Sequence, residues 1–493
     1  MTCGTRSALL TDLYELTMAQ GYWATGRAEL EAVFQLFFRR APFGGGFAIA
    51  AGLDAALAHL EELRFGPDDL AYLAGLVGGD GSPLFQPGFL DYLRTFRPAL
   101  DIDGVPEGTV VFAHEPLLRV RGPMLAAQLV ESALLNAINF PTLVATKAAR
   151  IVLAAGGAPV VEFGLRRAQG PDGGLTASRA AYIGGCVGTS NVLAGKCYGI
   201  PVRGTHAHSW VLSFETELEA FEAYGRVMPN NVILLVDTYD TASGVDNAIA
   251  AGRKLREAGH ELEGIRLDSG DLAYLSREAR AKLDAAGFRE TKIMASNDLD
   301  EETIESLRLQ RAAIDGWGVG TRLVTAYGQP ALGGVYKLAA IRAGDGRWRH
   351  VIKVSEQPDK TTIPGLLRAR RYYDEAGVAA GDSIYDELTQ AAEPTVIVDP
   401  TNPHRRKHLL DEWQTEELLV PAMRSGERLA PGPPVDAISD HARASLARFD
   451  PAILRRVNPH AYPAGIEATL HARRERLIET AIAESRQAQI ADD

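Results

Sequence analysis

Between Pro159 and Thr321 the chain repeats one short device: an apolar run ends in a polar or glycine-rich turn, and a helix-forming stretch follows. The runs are PVVEFGLRR from Pro159, AYIGGCVGTSN from Ala181, PVRGTHAHSW from Pro201, NVILLVDTYDT from Asn231, GIRLDSGD from Gly264, KIMASND from Lys292 and IDGWGVGT from Ile314. Strands that alternate with helices predict parallel βα units, and a long set of them predicts a barrel or a doubly wound sheet. In both architectures the chemistry gathers at the carboxyl ends of the strands. Arg166, Ser190, His208, Asp237, Asp268, Asn297 and Thr321 fall at those ends, so residues far apart in sequence are expected to face one cleft.

The flanks read differently. Apolar residues recur at helical spacing from Leu9 to Tyr22, and AVFQLFFRRAPFGGGFAIAAG then passes from a strand-like run into a glycine turn. Pro106 to Pro123 reads as a β-hairpin or meander. Met124 to Ala155 reads as helices interrupted near Asn139-Phe140-Pro141, because proline has no amide hydrogen with which to continue a helix. Beyond Leu338 shorter strands and turns predict a separate terminal unit or a return to the N-terminal one. Ser425 to Asp436 reads as a loop or linker, and the charged helical tail after it carries no motif. No solenoid repeat or low-complexity tract stands out.

A chain of 493 residues is too long for one compact core. Its net charge of -12 argues against nonspecific nucleic-acid binding, which usually relies on a basic face. Cys3, Cys186 and Cys197 leave one thiol unpaired under any disulfide scheme and form no C-x-x-C pair, which points to a reducing cytoplasm and away from a structural zinc. The opening MTCGTRSALLTDLYELTMAQ has no long apolar region behind basic residues, and no later run reaches the roughly 18 apolar residues of a spanning segment. The expectation is a soluble, unexported protein without a membrane or nucleic-acid partner.

Several clusters could carry chemistry. GTHAHSW sets His206 and His208 after a short apolar run; alone, such a pair is structural, a partial metal site or catalytic. VDTYD adds Asp237 and Asp240, and a carboxylate can orient an imidazole, although Asp240 before Thr241 and Ser243 also suits a helix cap. IRLDSGD groups Arg266, Asp268, Ser269 and Asp271. The guanidinium suits a planar carboxylate or phosphate, and the acids suit ribose hydroxyls or hydrated magnesium; the alternative is a salt-bridged loop. GWGVGT, ending at Gly320-Thr321, could cradle a phosphate with backbone amides. It is not a G-x-x-x-x-G-K-[ST] loop, and no G-x-G-x-x-G fingerprint follows a first strand. ILLVDTYDTASG is like the acidic loop of type I phosphoribosyltransferases but lacks its second adjacent acid.

LLTDLYELTMAQGYW, FRRAPFGGGFAIAAGL, INFPTLVATKAARI, EFGLRRAQGPDG, GTSNVLAGKCYGIPVRGTHAHSW, VDTYDT, IRLDSGD and GVGTRLVTAYGQPALGGVYKL, in that order from Leu9 to Leu338, resemble the nicotinate phosphoribosyltransferase family. The resemblance implies an α/β protein of the type II phosphoribosyltransferase kind, with an incomplete α/β barrel and an α/β domain built from N-terminal and C-terminal segments. The implied division is 1-140 for the N-terminal domain, 141-340 for the barrel with the active site, 341-425 for a C-terminal segment packing on the N-terminal domain, and 426-493 for linker and helical tail. A homodimer with shared active sites is implied as well. By the same resemblance His208 is the histidine that ATP phosphorylates and Asp237 the acid that orients it. Tyr14 of the partner subunit and Phe163 sandwich the pyridine ring. Arg266 and Thr205 belong to the nicotinate site, with Arg166 and Ser190 nearby; Asp268 meets the ribose, and Gly320 and Thr321 hold the 5'-phosphate. Relatives that use nicotinamide place an aspartate where this chain has Ser190. Where the family has a G-D-G ribose loop the chain reads SND, Ser296 to Asp298.

The implied reaction makes nicotinate mononucleotide and diphosphate from nicotinate and 5-phosphoribosyl 1-diphosphate, coupled to ATP, an ATP-dependent ligase of NAD biosynthesis. Magnesium is expected through the substrate phosphates, with no metal held by the protein alone. Nicotinamide and quinolinate phosphoribosyltransferases are the neighbouring readings. An aldolase-like barrel with Lys292 as a Schiff base, or a noncatalytic barrel, belongs to different classes.

Overall fold

Six parallel strands follow the expected runs: β1 (Val160–Glu162), β2 (Gly188–Thr189), β3 (Ile233–Leu235), β4 (Gly264–Leu267), β5 (Lys292–Ala295) and β6 (Gly316–Val319). The computed structural model describes residues 7–342, 344–355, 357, 360–389 and 395–492, with side chains described through residue 484; Cys3 lies outside them. The sheet order is β2-β1-β6-β5-β4-β3. Strands therefore follow one another around an arc, 3-4-5-6-1-2, with the break between β2 and β3: the order of a barrel left open at one seam. Leu234, Ile265, Ile293 and Trp317 are all buried, as expected of parallel strands covered on both faces.

Polar residues past the strand ends start the next helices. Asn191, Asp240, Asp271 and Asp300 cap the helices Val192–Tyr198, Thr241–Glu257, Leu272–Ala285 and Glu301–Leu309, each side chain accepting a backbone N–H in the first turn. Asp240 takes Ser243 N–H at 2.9 Å and the Ser243 hydroxyl at 2.7 Å, so its role here is capping. The sheet lies in a compact unit of residues 144–330 and 434–440.

A second unit comprises residues 1–143, 331–433 and 441–493. Its seven-stranded sheet joins distant segments: Glu31–Phe38 lies between Leu118–Pro123 and Gly334–Arg342, and Asp101–Gly104 pairs with Val420–Arg424, all antiparallel. An α/β domain made from both ends of the chain is thus observed. A mixed six-stranded sheet follows, in which Ala464–Glu467 lies between Thr395–Val398 and Ala379–Asp386. The expectation of only a linker and helical tail after residue 425 is corrected here. Ile466 and Leu470 are fully buried with Ile363, Leu367 and Ile384, so part of that tail is core.

Two local expectations also change. Val110–Val111 pairs with Ala48–Ile49, while Leu118–Pro123 joins the large sheet, so the stretch from Pro106 is not a hairpin. The helix Glu131–Ala155 runs through Pro141, and the interruption falls earlier, between it and Met124–Leu129. Proline at 141 removes the bond to the Ala137 carbonyl. Gly52, at φ +99°, packs against that carbonyl so closely that a Cβ would sit 2.0 Å from its oxygen. The same helix is long and apolar enough to cross a bilayer by length and composition, but 67% of its most apolar window is buried within the protein, as in a core helix.

Candidate active site

The segment after Pro201 fills the seam of the open sheet. Val202 makes a single parallel bridge to Thr189 of β2, and Arg203 N–H donates to the Thr189 carbonyl at 2.9 Å. On the other side Nε2 of His206 accepts Leu235 N–H of β3 at 3.2 Å. The run expected to be a strand is therefore one bridge and a loop, tied to one edge by backbone and to the other by an imidazole.

This tie separates the two histidines. His206 is buried, its Nδ1 lies 3.3 Å from the Ala207 carbonyl, and its lone pair on Nε2 is committed to the backbone. Burial, aided by the charges of Arg266 and His208, pushes its pKa down to about 4, so the ring is neutral. His208, two residues on, opens the short helix His208–Val211 and is 40% exposed at its side chain. Its Nδ1 lies 3.1 Å from Thr238 Oγ1, and its Nε2 stands 4.0 Å from Asp268 Oδ2.

Asp237, expected to orient His208, does not bond to it in this structure. Its Oδ2 accepts the Asp268 N–H at 2.9 Å and the Ser269 hydroxyl at 2.6 Å, which holds the loop after β4, while its buried Oδ1 has no protein partner. The residue beside it, Thr238, makes the contact to the imidazole because consecutive residues leaving a strand point to opposite sides.

Arg266 on β4 donates from Nη2 to the His206 carbonyl at 2.8 Å and from Nη1 to Ser296 Oγ at 3.2 Å and Asp268 Oδ1 at 3.3 Å. Ser296 in turn donates to Asp268. Burial and the nearby charge of Arg166 lower the Arg266 pKa, while Asp268 and Asp237 act against them; the Nε is buried without a partner. The guanidinium is thus fixed at the site with hydrogen-bonding capacity to spare.

Phe163 follows β1, with its N–H on the Val319 carbonyl at 2.8 Å. A Cβ at Gly318 would meet the Phe163 ring at 2.6 Å and Ser296 Cβ at 3.4 Å, so the half-buried ring lies over the bare backbone of β6, next to the serine that touches Arg266. Glu162 braces this turn: fully buried, it accepts the hydroxyls of Thr189 at 2.5 Å and Ser178 at 2.9 Å and the Gly164 N–H.

Of the other predicted residues, Arg166 is exposed on the turn Leu165–Arg167, and the Thr205 hydroxyl donates to the His206 carbonyl at 3.3 Å. Ser190 is half-buried at the end of β2, its N–H on the Glu162 carbonyl at 2.9 Å; the cap of the next helix is Asn191, not Ser190. Gly320 and Thr321 join β6 to the turn Thr321–Val324, and a Cβ at Gly320 would meet the Phe163 carbonyl at 3.1 Å. Asn297 has φ +131°, in the region that favours glycine, and its side chain accepts Asp298 N–H at 2.7 Å. Tyr14 belongs to the other unit, on the helix Leu13–Ala24, and is 48% exposed. Lys292 opens β5 and is exposed at the opposite end from these residues, which removes the Schiff-base reading. Among the described residues no group of three or more His, Cys, Asp or Glu could hold a metal ion.

Sequence reasoning missed Glu162, Thr238 and the role of Ser296. Each adjoins or lies within a quoted motif, but only the direction of the side chain tells it apart from its neighbour.

Comparison with known proteins is decisive about ancestry. Residues 9–139 match the nicotinate phosphoribosyltransferase N-terminal domain, 159–390 the nicotinate phosphoribosyltransferase family and 368–474 the C-terminal domain. The nicotinate phosphoribosyltransferase of Bacillus subtilis is 42% identical over 462 residues, 92% of each chain. The chain belongs to the nicotinate phosphoribosyltransferase family. A Mycobacterium tuberculosis member is 42% identical over 470 residues, covering 94% of this chain and 98% of its own. The crystal structure of human nicotinic acid phosphoribosyltransferase superimposes with a TM-score of 0.82 at 33% identity, covering 95% of this chain and 99% of that one. A nicotinate-nucleotide pyrophosphorylase from Pyrococcus furiosus, 21% identical with a TM-score of 0.67 over 90% of this chain and 95% of its own, shares the fold. The open parallel sheet is the half-barrel of the type II phosphoribosyltransferases.

Proposed function

We propose that this chain joins nicotinate to the 5-phosphoribosyl group of 5-phosphoribosyl 1-diphosphate, that ATP phosphorylates His208 during the cycle, and that the product feeds NAD biosynthesis in the cytoplasm. The supporting observation is the cluster at the strand ends: an aromatic face, Phe163, beside a fixed guanidinium, Arg266, linked through Ser296 and Asp268 to the exposed imidazole of His208.

The pyridine nitrogen attacks the anomeric carbon of the ribose, and the carbon–oxygen bond to diphosphate breaks, its electron pair leaving with the diphosphate. The nitrogen already carries a free lone pair, so no base is required; orientation and stabilisation of the leaving group supply the rate. Phe163 supports one face of the pyridine, and Tyr14 of the partner subunit in a homodimer covers the other. Arg266, with Arg166, Thr205 and Ser190 around it, receives the carboxylate. Asp268 accepts the ribose hydroxyls, and Gly320 with Thr321 holds the 5'-phosphate. Magnesium would arrive on the substrate phosphates and would supply charge neutralisation at the leaving diphosphate. Phospho-His208, beside Asp268, couples ATP to phosphoribosyl diphosphate binding.

Diphosphate release measured with nicotinate, nicotinamide and quinolinate in turn should be fastest with nicotinate and rise with ATP. His208→Asn should stay folded and form no acid-labile phosphoenzyme. Equal rates with nicotinamide would overturn the substrate assignment, no release with any of the three would leave a binding scaffold, and labelling retained by His208→Asn would move the phosphoryl acceptor elsewhere.

A further inference from the structure

The mixed six-stranded sheet ends on the hairpin Thr395–Val398 and Arg406–Leu409, and the stretch His460 to Pro463, leading into the strand Ala464–Glu467, rises beside it. Between them lies a concavity of about 300 Å3, at the lower end of the roughly 300–1,000 Å3 of small-molecule sites. Its wall carries three consecutive cations, Arg405, Arg406 and Lys407, facing His460.

Two of these cations are hydrogen-bonded to backbone carbonyls. Lys407 Nζ donates to the Ala380 carbonyl at 2.7 Å, and Arg406 Nε to the Pro403 carbonyl at 3.4 Å. Arg405 is 59% exposed, and its carboxylate neighbour, Asp399, is 3.6 Å away, beyond a hydrogen bond. Asp399 is committed to the hairpin turn, its Oδ1 accepting Thr401 N–H at 2.8 Å, the Thr401 hydroxyl at 2.7 Å and Asn402 N–H at 3.1 Å. A chain of net charge -12 thus gathers three cations around a hollow whose lining includes one carboxylate, Asp399, with Asp374 acting on Lys407 from nearby, and the excess of positive charge favours an anion.

We propose that this concavity is a binding site for the phosphate group of a small molecule, with the Arg405 and Arg406 guanidinia as the principal ligands and Lys407 as a supporting charge. Guanidinium forks match the oxygens of a phosphate, and both arginines line the hollow. None of these residues belongs to the cluster around His208, and occupancy does not depend on what that cluster does.

The test is amide hydrogen exchange of the segment 395–409 in the full-length protein, with inorganic phosphate, ATP, or chloride at matched ionic strength. Phosphate or ATP should slow exchange there and chloride should not; the tighter of the two identifies a free phosphate or a nucleotide as the source. Arg405→Gln together with Arg406→Gln should weaken that protection at least about tenfold while leaving diphosphate release with nicotinate unchanged. Asp399→Asn, which keeps an oxygen for the turn, should strengthen it. Protection equal in chloride, absent with both phosphate compounds, or indifferent to the arginine pair would overturn the site. Because Asp399→Asn must act in the opposite sense, general damage to the hairpin cannot imitate the expected result.

Discussion

The Thr238 hydroxyl meets Nδ1 of His208 at 3.1 Å, while the preceding Asp237 turns its carboxylate away to the Asp268 N–H and the Ser269 hydroxyl. Two adjacent residues thereby divide the work of one strand end, the first holding a loop and the second an imidazole. Thr238→Val should slow the ATP-dependent phosphorylation proposed for His208 by about five- to tenfold, the worth of one hydrogen bond, and shift its pH profile, with Thr238→Ser restoring both. Asp237→Ala should instead raise KM for phosphoribosyl diphosphate through the loosened loop at Asp268. A Thr238→Val enzyme with unchanged phosphorylation and pH profile would show that the contact is incidental.

His206 gives a pH dependence with a definite sign. Its folded pKa of about 4 lies below the ordinary value near 6.5, so the unfolded chain binds the proton more readily. Stability at this site is fully present above about pH 6.5 and declines as the pH falls towards 4. Denaturant unfolding at pH 7 and pH 5 should show a larger loss at pH 5 for the wild type than for His206→Gln, which cannot titrate. Equal losses would mean that the imidazole is not held neutral against the Leu235 N–H.

Gly318 offers a direct handle on the aromatic face. A Cβ there would stand 2.6 Å from the Phe163 ring, closer than any carbon contact permits, so Gly318→Ala must displace the ring. The expected result is a several-fold higher KM for nicotinate with little change in KM for phosphoribosyl diphosphate, because the proposed stacking of Phe163 on the pyridine would contribute about 0.5–1.5 kcal/mol beyond area burial. Equal increases in both constants would point to a general distortion of β6.

How much of this was legible in the sequence follows from what each signal encodes. Strand–helix alternation is written in the apolar pattern, so six strands of the open sheet sit where the runs do. The seam could not be read that way. PVRGTHAHSW has the composition of another strand, but β2 and β3 face it with one bridge and one imidazole, a fact of spatial closure rather than of local preference. The glycines of GWGVG were legible as a candidate phosphate cradle, yet Gly318 makes room for Phe163, a side chain over 150 residues earlier. Likewise the strand Ala464–Glu467 is only four residues long and precedes a charged helix, so its central place in a sheet depends on partners the local sequence does not name.

Ser190 tests specificity within the proposed site. It is half-buried at the end of β2, next to a helix capped by Asn191. Aspartate at this position would place a second negative charge near the carboxylate of nicotinate in a partly desolvated site. Like charges a few ångströms apart there cost on the order of a few kcal/mol, and each ~1.4 kcal/mol is a tenfold change in preference. Neutral nicotinamide suffers no such repulsion, and its carboxamide N–H groups could donate to the new acceptor. Ser190→Asp should therefore lower kcat/KM for nicotinate at least about tenfold more than for nicotinamide, with Ser190→Asn, of similar size and no charge, producing a much smaller shift in the ratio. Steady-state kinetics with both substrates on the three proteins decides it. If the ratio is the same in Ser190→Asp as in the wild type, the side chain at 190 does not face the carboxylate and the discrimination rests on Arg266 and its neighbours alone.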